Sequence, residues 1–311
     1  MKTFDLLETK HPDLFRVVDR NGNWEYYWHK PSDTYLRGVT TILNVGYAKG
    51  AFFDEWLSRH TPDERDEILR AAGERGDKVH RAIDTILGMG AEGKLSRTSR
   101  IFNKASGVEE QLSIEEWDAL LSFGRFWVAH EPILHASEAS VFNTRLGYAG
   151  TADAILTLTK SCGVRTCKCA DLVGKVSLWD WKTSKGIRPS YSAQTAAYAC
   201  AENIGEYLPG MTGIAYTAVL RLGTAHKTTG GYELKSFDVM EGFERFMAAK
   251  SIADFEHRPF EPSDITEVPD EIKITVTAYQ APKPEEKKTS KRKAKVAQKR
   301  VRKIKSDKIA A

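Results

Sequence analysis

The sequence predicts an α/β fold in which helices flank a central mixed β-sheet. Helical periodicity dominates residues 51–130, and strand-like segments occupy much of residues 139–182. A predicted helix over 190–203 separates these strands from two more, at 213–222 and 232–237. Strands interrupted by helices in this way form one sheet with helices packed on its faces.

The N-terminal part begins with a predicted hairpin over residues 14–28. Two segments rich in β-branched and aromatic residues flank Asn21-Gly22, which is a strong signal for a two-residue turn. Val39–Leu43 is a short apolar segment, and residues 51–60 carry apolar side chains at helical spacing.

Two longer helices carry capping signals at their N-termini. Thr61-Pro62 combines a capping residue with proline at the first helical position. The apolar period continues past Gly73 and Gly76, although glycine weakens the prediction of one unbroken helix. Ser113–Glu116 is a capping box, and the helix after it should reach about His130.

The later part of the chain alternates strands with helices. Strands are predicted over 139–143 and 147–159, joined by a tight turn, and over 175–182. A helix over 240–257 follows the two later strands, and one more strand-like segment covers 272–278.

The charge of the chain is divided between a basic tail and an acidic remainder. The net charge is +4, but residues 283–311 hold 13 Lys and Arg against 3 Asp and Glu, while the rest holds 33 against 39. The segment 281–311 lacks aromatic residues and is expected to be disordered when unbound. Such a tail is expected to contact DNA phosphates without sequence preference, with a solubilising or localisation role as the alternative.

Composition excludes several classes of protein. The chain has no run of about 18 apolar residues, so no membrane-spanning helix is expected. Its first residues include acids where a secretion signal needs an apolar core, so a cytoplasmic location is expected. With 41% hydrophobic and 28% charged residues, the composition is typical of a globular protein.

Three of the four cysteines, Cys162, Cys167 and Cys169, lie close together. A metal or iron–sulfur site is one interpretation, but the spacing matches none of the common zinc or iron–sulfur patterns. The segment 166–170 alternates as a strand does, and a reducing cytosol disfavours disulfides. Ordinary reduced thiols, with no iron–sulfur cluster, are therefore predicted.

Asp180 and Lys182 lie near the end of an apolar predicted strand. Side chains two residues apart in a strand point to the same face, so these two groups should project together. Asp153 follows Gly150 in another predicted strand, which can bring a second carboxylate alongside. Taken alone, Asp180 and Lys182 could equally form a surface ion pair.

Asp153 and Asp180 together predict a metal site, because neighbouring carboxylates repel each other unless a cation lies between them. Their hard oxygen atoms suit one or two ions of Mg²⁺ or Mn²⁺, with waters and phosphate oxygens as further ligands. A lysine beside them can orient or deprotonate an attacking water and stabilise developing charge. The set is suited to hydrolysis of a phosphodiester.

These residues resemble the core motif of the PD-(D/E)XK nuclease superfamily, an Asp on one strand followed by Asp/Glu-x-Lys on the next. The surrounding sequence resembles the RecB-like exonuclease branch, including its phage and mitochondrial-type members, to which Val39–Leu43 and Glu138 are also similar. The ordered set is more specific than any single motif, because Asp-x-Lys is common by chance. In chain order, the matching segments are Gly76–His80, Gly150–Asp153, Asp180–Thr183 and Gln194–Tyr198.

The resemblance implies a role for each residue of the central set. Asp153 and Asp180 would be metal ligands, together with the backbone carbonyl of Trp181. Lys182 would be the catalytic lysine. His80 would be an additional metal ligand through a neutral imidazole.

The resemblance also implies supporting roles, and the sequence departs from the pattern in two respects. Gln194 and Tyr198, four residues apart on one helix face, would position the lysine or bind DNA phosphates. Glu138 would either ligate the metal or pair with a basic residue. The segment between the carboxylate strands is longer than expected, at 160–174, and its cysteines do not match the iron–sulfur version of the branch.

The resemblance implies a restriction-endonuclease-like core and a metal-dependent DNA exonuclease acting in recombination, repair or replication. The nuclease core would span residues 75–280, with the N-terminal hairpin and helices of 1–74 packed on it and the basic tail at 281–311. DNA would be bound at an end or a single-stranded region, in the host cytoplasm if the protein is phage-encoded. The alternatives are a structure-specific endonuclease, a catalytically inert DNA-binding or recombination partner, and a non-nuclease Mg²⁺ phosphohydrolase.

Overall fold

The computed structural model describes residues 5–18, 24–90, 93–103, 106–165, 167–223 and 230–256. These residues belong to one compact unit, Met1–Pro259. The predicted turn at Asn21-Gly22, the predicted strand over 272–278, and the tail over 281–311 lie outside the described residues.

Most strands of the described residues join one mixed sheet, which confirms the predicted α/β class. The strands are β1 (Asp5–Glu8), β2 (Leu14–Val18), β3 (Trp24–His29), β4 (Thr34–Gly38), β5 (Arg100–Asn103), β6 (Val108–Gln111), β7 (Ile133–Asn143), β8 (Tyr148–Thr157), β9 (Val176–Lys182), β10 (Tyr216–Arg221) and β11 (Glu233–Phe237). Nine of them form the sheet in the order β1-β2-β3-β4-β8-β9-β10-β11, with β7 paired to β8, and β5 pairs with β6 separately. The β4–β8 and β9–β10 pairs are parallel, and the other pairs are antiparallel.

Helices cover both faces of the sheet. They are α1 (Val39–Gly46), α2 (Ala51–Ser58), α3 (Pro62–Gly88), α4 (Ile114–His130), α5 (Ser190–Ala199) and α6 (Val239–Glu256). Helices α3 and α4 pack on the face that carries Trp179 and Trp181, whereas α1, α5 and α6 pack on the face that carries Ile155 and Leu178. Because strand side chains alternate between faces, each central strand contributes to both cores.

The capping box predicted at Ser113–Glu116 is present, and the cap predicted at Thr61 is also part of a capping box. In α3 the Thr61 side chain accepts a hydrogen bond from the backbone of Glu64, and in α4 Ser113 accepts one from Glu116. Helix α3 is a single helix of 27 residues that continues through its two internal glycines. At Gly76 a side chain would meet Thr183 at 3.7 Å, so α3 passes close to the end of β9.

The strand β8 holds the sheet together because it pairs with three other strands. β7 runs along one edge of it. On the other edge, β4 covers Tyr148 and Ala149, and β9 covers Ala154–Thr157. The intervening residues Gly150–Asp153 therefore lie where β4 and β9 separate. The N-terminal hairpin β2–β3 extends this same sheet. The boundary predicted between residues 74 and 75 lies inside helix α3.

Several predicted elements differ from the structure at their ends. Val39–Leu43 is part of a helix, α1, and not simply an apolar segment. The helix predicted over 190–203 ends at Ala199. The strand predicted over 139–143 begins earlier, at Ile133, and contains an irregularity near Leu134 that disrupts the alternation by which a strand is recognised.

The strand-like alternation around Cys167 and Cys169 was misleading. Lys168–Leu172 forms a 3-10 helix, and the side chains of Cys169 and Leu172 are both fully buried. Residues three apart lie on one side of a 3-10 helix, so tertiary burial of this pair favours that conformation over a strand.

The described helices include none that is long and apolar enough to cross a membrane.

Candidate active site

Asp153 lies at the point where β4 and β9 separate, and its side chain is buried. Its Oδ2 accepts a hydrogen bond from the backbone N–H of Trp181 at 2.6 Å. Its Oδ1 lies 3.2 Å from Nδ1 of His80. The carboxylate therefore connects β8 to the end of β9 and to helix α3.

Asp180 and Lys182 project together, as the strand period predicts. Nζ of Lys182 lies 2.7 Å from Oδ1 and 2.6 Å from Oδ2 of Asp180. Asp180 is only 2% exposed, and its buried Oδ2 has no hydrogen bond of good geometry to the described residues, because the ammonium approaches it outside the hydrogen-bonding directions. Such an oxygen retains capacity for a further ligand.

Helix α5 supports Asp180 through Gln194 and Tyr198. Nε2 of Gln194 donates to Oδ1 of Asp180 at 3.1 Å and lies 3.3 Å from the hydroxyl of Tyr198. The Tyr198 ring packs against Gly150, where a Cβ atom would come within 2.3 Å of the ring. Glycine in the Gly150–Asp153 segment is thus required for the close approach of α5.

His80 lies on α3 between two acceptors. Its Nε2 donates a hydrogen bond to the carbonyl of Trp181 at 2.8 Å, and its Nδ1 faces the Asp153 carboxylate. Because neither partner can donate, both ring nitrogens carry hydrogen, and the metal-free protein contains an imidazolium. Binding a metal through His80, or through the Trp181 carbonyl that it occupies, requires this arrangement to open.

Glu138 joins the site through an unusual backbone conformation. Ser137 pairs with Ala154 and Ala139 pairs with Ala152, so Glu138 lies directly opposite Asp153 in the β7–β8 ladder. Its φ angle is +49°, in the left-handed region that non-glycine residues rarely occupy. Ligand atoms of His80, Glu138 and Asp153 all lie within 4.8 Å of one another.

The pKa values of the three acids shift in different directions. Burial, with repulsion from Asp153, raises the pKa of Glu138 to about 7. Burial raises the pKa of Asp180 to about 6, although Lys182 opposes the increase. Burial also disfavours ionised Asp153, but the charge of His80 and the hydrogen bond to it, the charge of Lys182 and the hydrogen bond from Trp181 together outweigh burial and lower that pKa.

The two cations of the site hold their protons. Burial alone would lower the pKa of His80, but the charge of Asp153 and the hydrogen bond to it raise the pKa to about 9. Burial likewise opposes the charge on Lys182, but Asp180 and Asp153 raise its pKa above the ordinary value. When its three acids are ionised, this group carries one more negative charge than its two cations neutralise.

The donor set fits a divalent cation. It combines carboxylate oxygens of Asp153, Asp180 and Glu138 with an imidazole and a backbone carbonyl, and Oδ2 of Asp180 is a buried acceptor with spare capacity. Oxygen-rich sets of this kind suit Mg²⁺ or Mn²⁺. The Asp180 carboxylate does not belong to the close group formed by His80, Glu138 and Asp153, and it therefore approaches the site from a different direction.

A cavity of about 580 Å³ adjoins Glu138 and contains residues that sequence reasoning missed. Its walls carry three cationic side chains, Lys10, Arg16 and Arg81, together with four acidic ones, of which Asp84 pairs with Lys10 at 2.7 Å. Arg81 follows His80 on α3 and could have been recognised from its helical spacing with residues 77 and 84, which also line the cavity. Lys10 and Arg16 come from the N-terminal strands and carry no comparable sequence signal.

No protein-family model and no curated protein sequence matches this chain.

Proposed function

We propose that this chain is a metal-dependent nuclease that hydrolyses phosphodiester bonds of DNA, with a restriction-endonuclease-like core. The observation that carries the proposal is the pair of buried carboxylates, Asp153 and Asp180, beside the ammonium of Lys182. Burying charged groups costs stability even when they are paired, so a buried charged group of this kind favours a functional role. The resemblance to RecB-like exonucleases, found in the order of the motifs, favours attack from a DNA end.

Asp153, Asp180, Glu138 and His80 would hold Mg²⁺ or Mn²⁺, with the Trp181 carbonyl as a further ligand. The bound ion would supply Lewis-acid activation of water and neutralise charge on the phosphate. Oδ2 of Asp180 and the Glu138 carboxylate are the acceptors with capacity for such a ligand.

The protein's own groups provide the remaining chemistry. Lys182 holds an ammonium beside Asp180, where it can orient the attacking water and stabilise charge on the phosphate. Gln194 fixes the orientation of Asp180, and the Tyr198 hydroxyl lies beside the Gln194 amide. Arg16 and Arg81, which line the adjoining cavity, would be the groups that contact phosphate oxygens of a DNA strand.

A single time course tests the function and separates its alternatives. Linear DNA labelled at one end and closed-circular DNA are incubated with the full chain, with and without Mg²⁺. We expect Mg²⁺-dependent loss of the linear substrate while the closed circle persists. Cleavage of the circle would instead favour a structure-specific endonuclease. Binding without any cleavage would favour an inert recombination partner and contradict the proposal.

We expect metal binding at pH 8 to release close to one proton from His80, because a ligating imidazole must lose the proton that it holds with a pKa of about 9. Metal affinity should therefore rise with pH up to about 9. In the absence of metal, the stability of the fold depends on pH in the opposite direction. The charged His80 stabilises the fold fully below about pH 6.5, and that stabilisation is lost as pH rises through about 9.

Calorimetric titration with Mn²⁺ in two buffers of different ionisation enthalpy measures the released proton. His80→Gln provides the matched control and should remove the release while the protein stays folded. Equal heats of Mn²⁺ binding in the two buffers would mean that His80 keeps its proton and remains an ion-pair partner of Asp153.

A further inference from the structure

A second group of potential metal ligands lies on the other side of β9 from Asp180, between α4 and the segment that connects β8 to β9. Sγ of Cys162 and Sγ of Cys169 lie 3.5 Å apart. Ligand atoms of these two thiols and of His130 are all within 4.8 Å of one another. Cys167 lies in the same segment, and its thiol is near enough to Cys162 and Cys169 to influence the pKa of both. The segment thus brings two sulfurs and one imidazole together, with a third sulfur nearby.

The imidazole of His130 is already oriented as a ligand. Its Nδ1 lies 3.0 Å from the carbonyl of Lys160, which can only accept, so Nδ1 carries the hydrogen. In the neutral ring Nε2 is then the unprotonated nitrogen, and it accepts from the hydroxyl of Tyr232 at 3.1 Å. A backbone carbonyl that fixes the tautomer in this way is the usual outer partner of a metal-bound histidine. Both His130 and Cys169 are at most 1% exposed.

We propose that His130, Cys162, Cys167 and Cys169 bind one structural Zn²⁺ ion. Three thiolates and one imidazole form a closed tetrahedral set of the kind that structural zinc sites use. With Zn–S bonds of about 2.3 Å, sulfurs at the corners of a tetrahedron lie about 3.8 Å apart, which is close to the separation of Cys162 and Cys169. Binding would require Cys167, which lies outside the close group of ligand atoms, to move toward the others, and the Tyr232 hydroxyl to leave Nε2 of His130.

The arrangement suits one ion better than the other products that cysteines form. In a [4Fe–4S] cluster each cysteine binds a different iron, so the cysteine sulfurs lie farther apart than these two. A Cys162–Cys169 disulfide would need the sulfurs to approach to about 2.0 Å and would leave His130 without a role. The oriented imidazole therefore favours the single ion.

The site would stabilise the connection between the two carboxylate strands. His130 is the last residue of α4, and its carbonyl accepts backbone hydrogen bonds from Thr159 and Lys160 just after β8. The three cysteines lie later in the same connection, before β9 begins. An ion here would attach this connection to α4 and restrict the relative movement of β8 and β9.

Metal analysis of the full chain tests the proposal without any measure of nuclease activity. The protein is produced with zinc in the medium, purified without chelators and analysed for zinc and iron. We expect about one zinc per chain, and tetrahedral thiolate absorption bands when Co²⁺ replaces it. Cys162→Ser, Cys167→Ser and Cys169→Ser should each lose most of the zinc, whereas Cys200→Ser, which changes the remaining cysteine, should keep it.

Two further measurements keep the test decisive if a serine variant does not fold. Removing metal from the unchanged chain with a strong chelator should lower its Tm, and added Zn²⁺ should restore it whereas Mg²⁺ should not. An unchanged Tm with no bound zinc would overturn the proposal. Iron in place of zinc, or a mass lighter by the hydrogens that a disulfide loses, would also overturn it.

Discussion

Replacing Lys182 with alanine is expected to slow DNA cleavage at saturating Mg²⁺ by at least ~10²-fold, as does loss of other groups that stabilise transition-state charge. The ammonium lies within 2.7 Å of both oxygens of Asp180, so its loss also removes the charge that keeps this buried acid ionised. Single-turnover rates with excess enzyme measure the effect on the chemical step.

Two variants separate chemistry from structural damage. Lys185→Ala removes an exposed lysine shortly after β9 and is the matched control, for which we expect an unchanged rate. Asp180→Asn keeps the shape of the side chain and an oxygen that can accept from Gln194, so it should remain folded while losing cleavage. Cleavage by Lys182→Ala at the rate of the unchanged protein would refute the proposed site.

The sequence predicted the parts of the site that follow from local geometry. Asp180 and Lys182 share a face because of the strand period, and the capping threonine and proline at Thr61-Pro62 predicted the start of α3, which carries His80. The position of Asp153 beside Asp180 required only that two predicted strands be neighbours. These features depend on a few consecutive residues, so they could be recognised without the tertiary structure.

Other features depended on distant parts of the chain and could not be predicted. The site is built where β4 separates from β9, and β4 belongs to an N-terminal segment with no sequence signal for that pairing. Lys10 and Arg16 reach the cavity for the same reason. The cysteines were interpreted as ordinary thiols because spacing alone did not show that His130, on another element, points toward them.

Glu138→Gly is expected to have opposite effects on activity and on stability. The wild-type residue adopts a φ angle of +49°, a conformation that costs a non-glycine residue roughly 1–3 kcal/mol and glycine very little. Its carboxylate also lies opposite Asp153, where two acids repel each other. Without metal, the glycine variant should therefore unfold at a Tm several degrees higher.

The stability gain should depend on pH in a defined direction. The pKa of Glu138 in the folded protein is about 7, above its ordinary value of 4.5. Its ionisation therefore destabilises the metal-free fold as pH rises from about 4.5 through about 7. The difference in Tm between Glu138→Gly and the unchanged protein should accordingly be larger at pH 8 than at pH 5.

Activity should change the other way. Loss of a metal-binding carboxylate should lower cleavage by about 10²-fold at limiting Mg²⁺, with partial recovery at high Mn²⁺ concentration. Glu138→Gln is the matched control, because it removes the charge but keeps the side-chain length and the strained backbone. It should lose activity as Glu138→Gly does while gaining less stability. Full activity in both variants would mean that Glu138 does not contribute to metal binding. Lower stability of Glu138→Gly at every pH would mean instead that the left-handed backbone is not a source of strain.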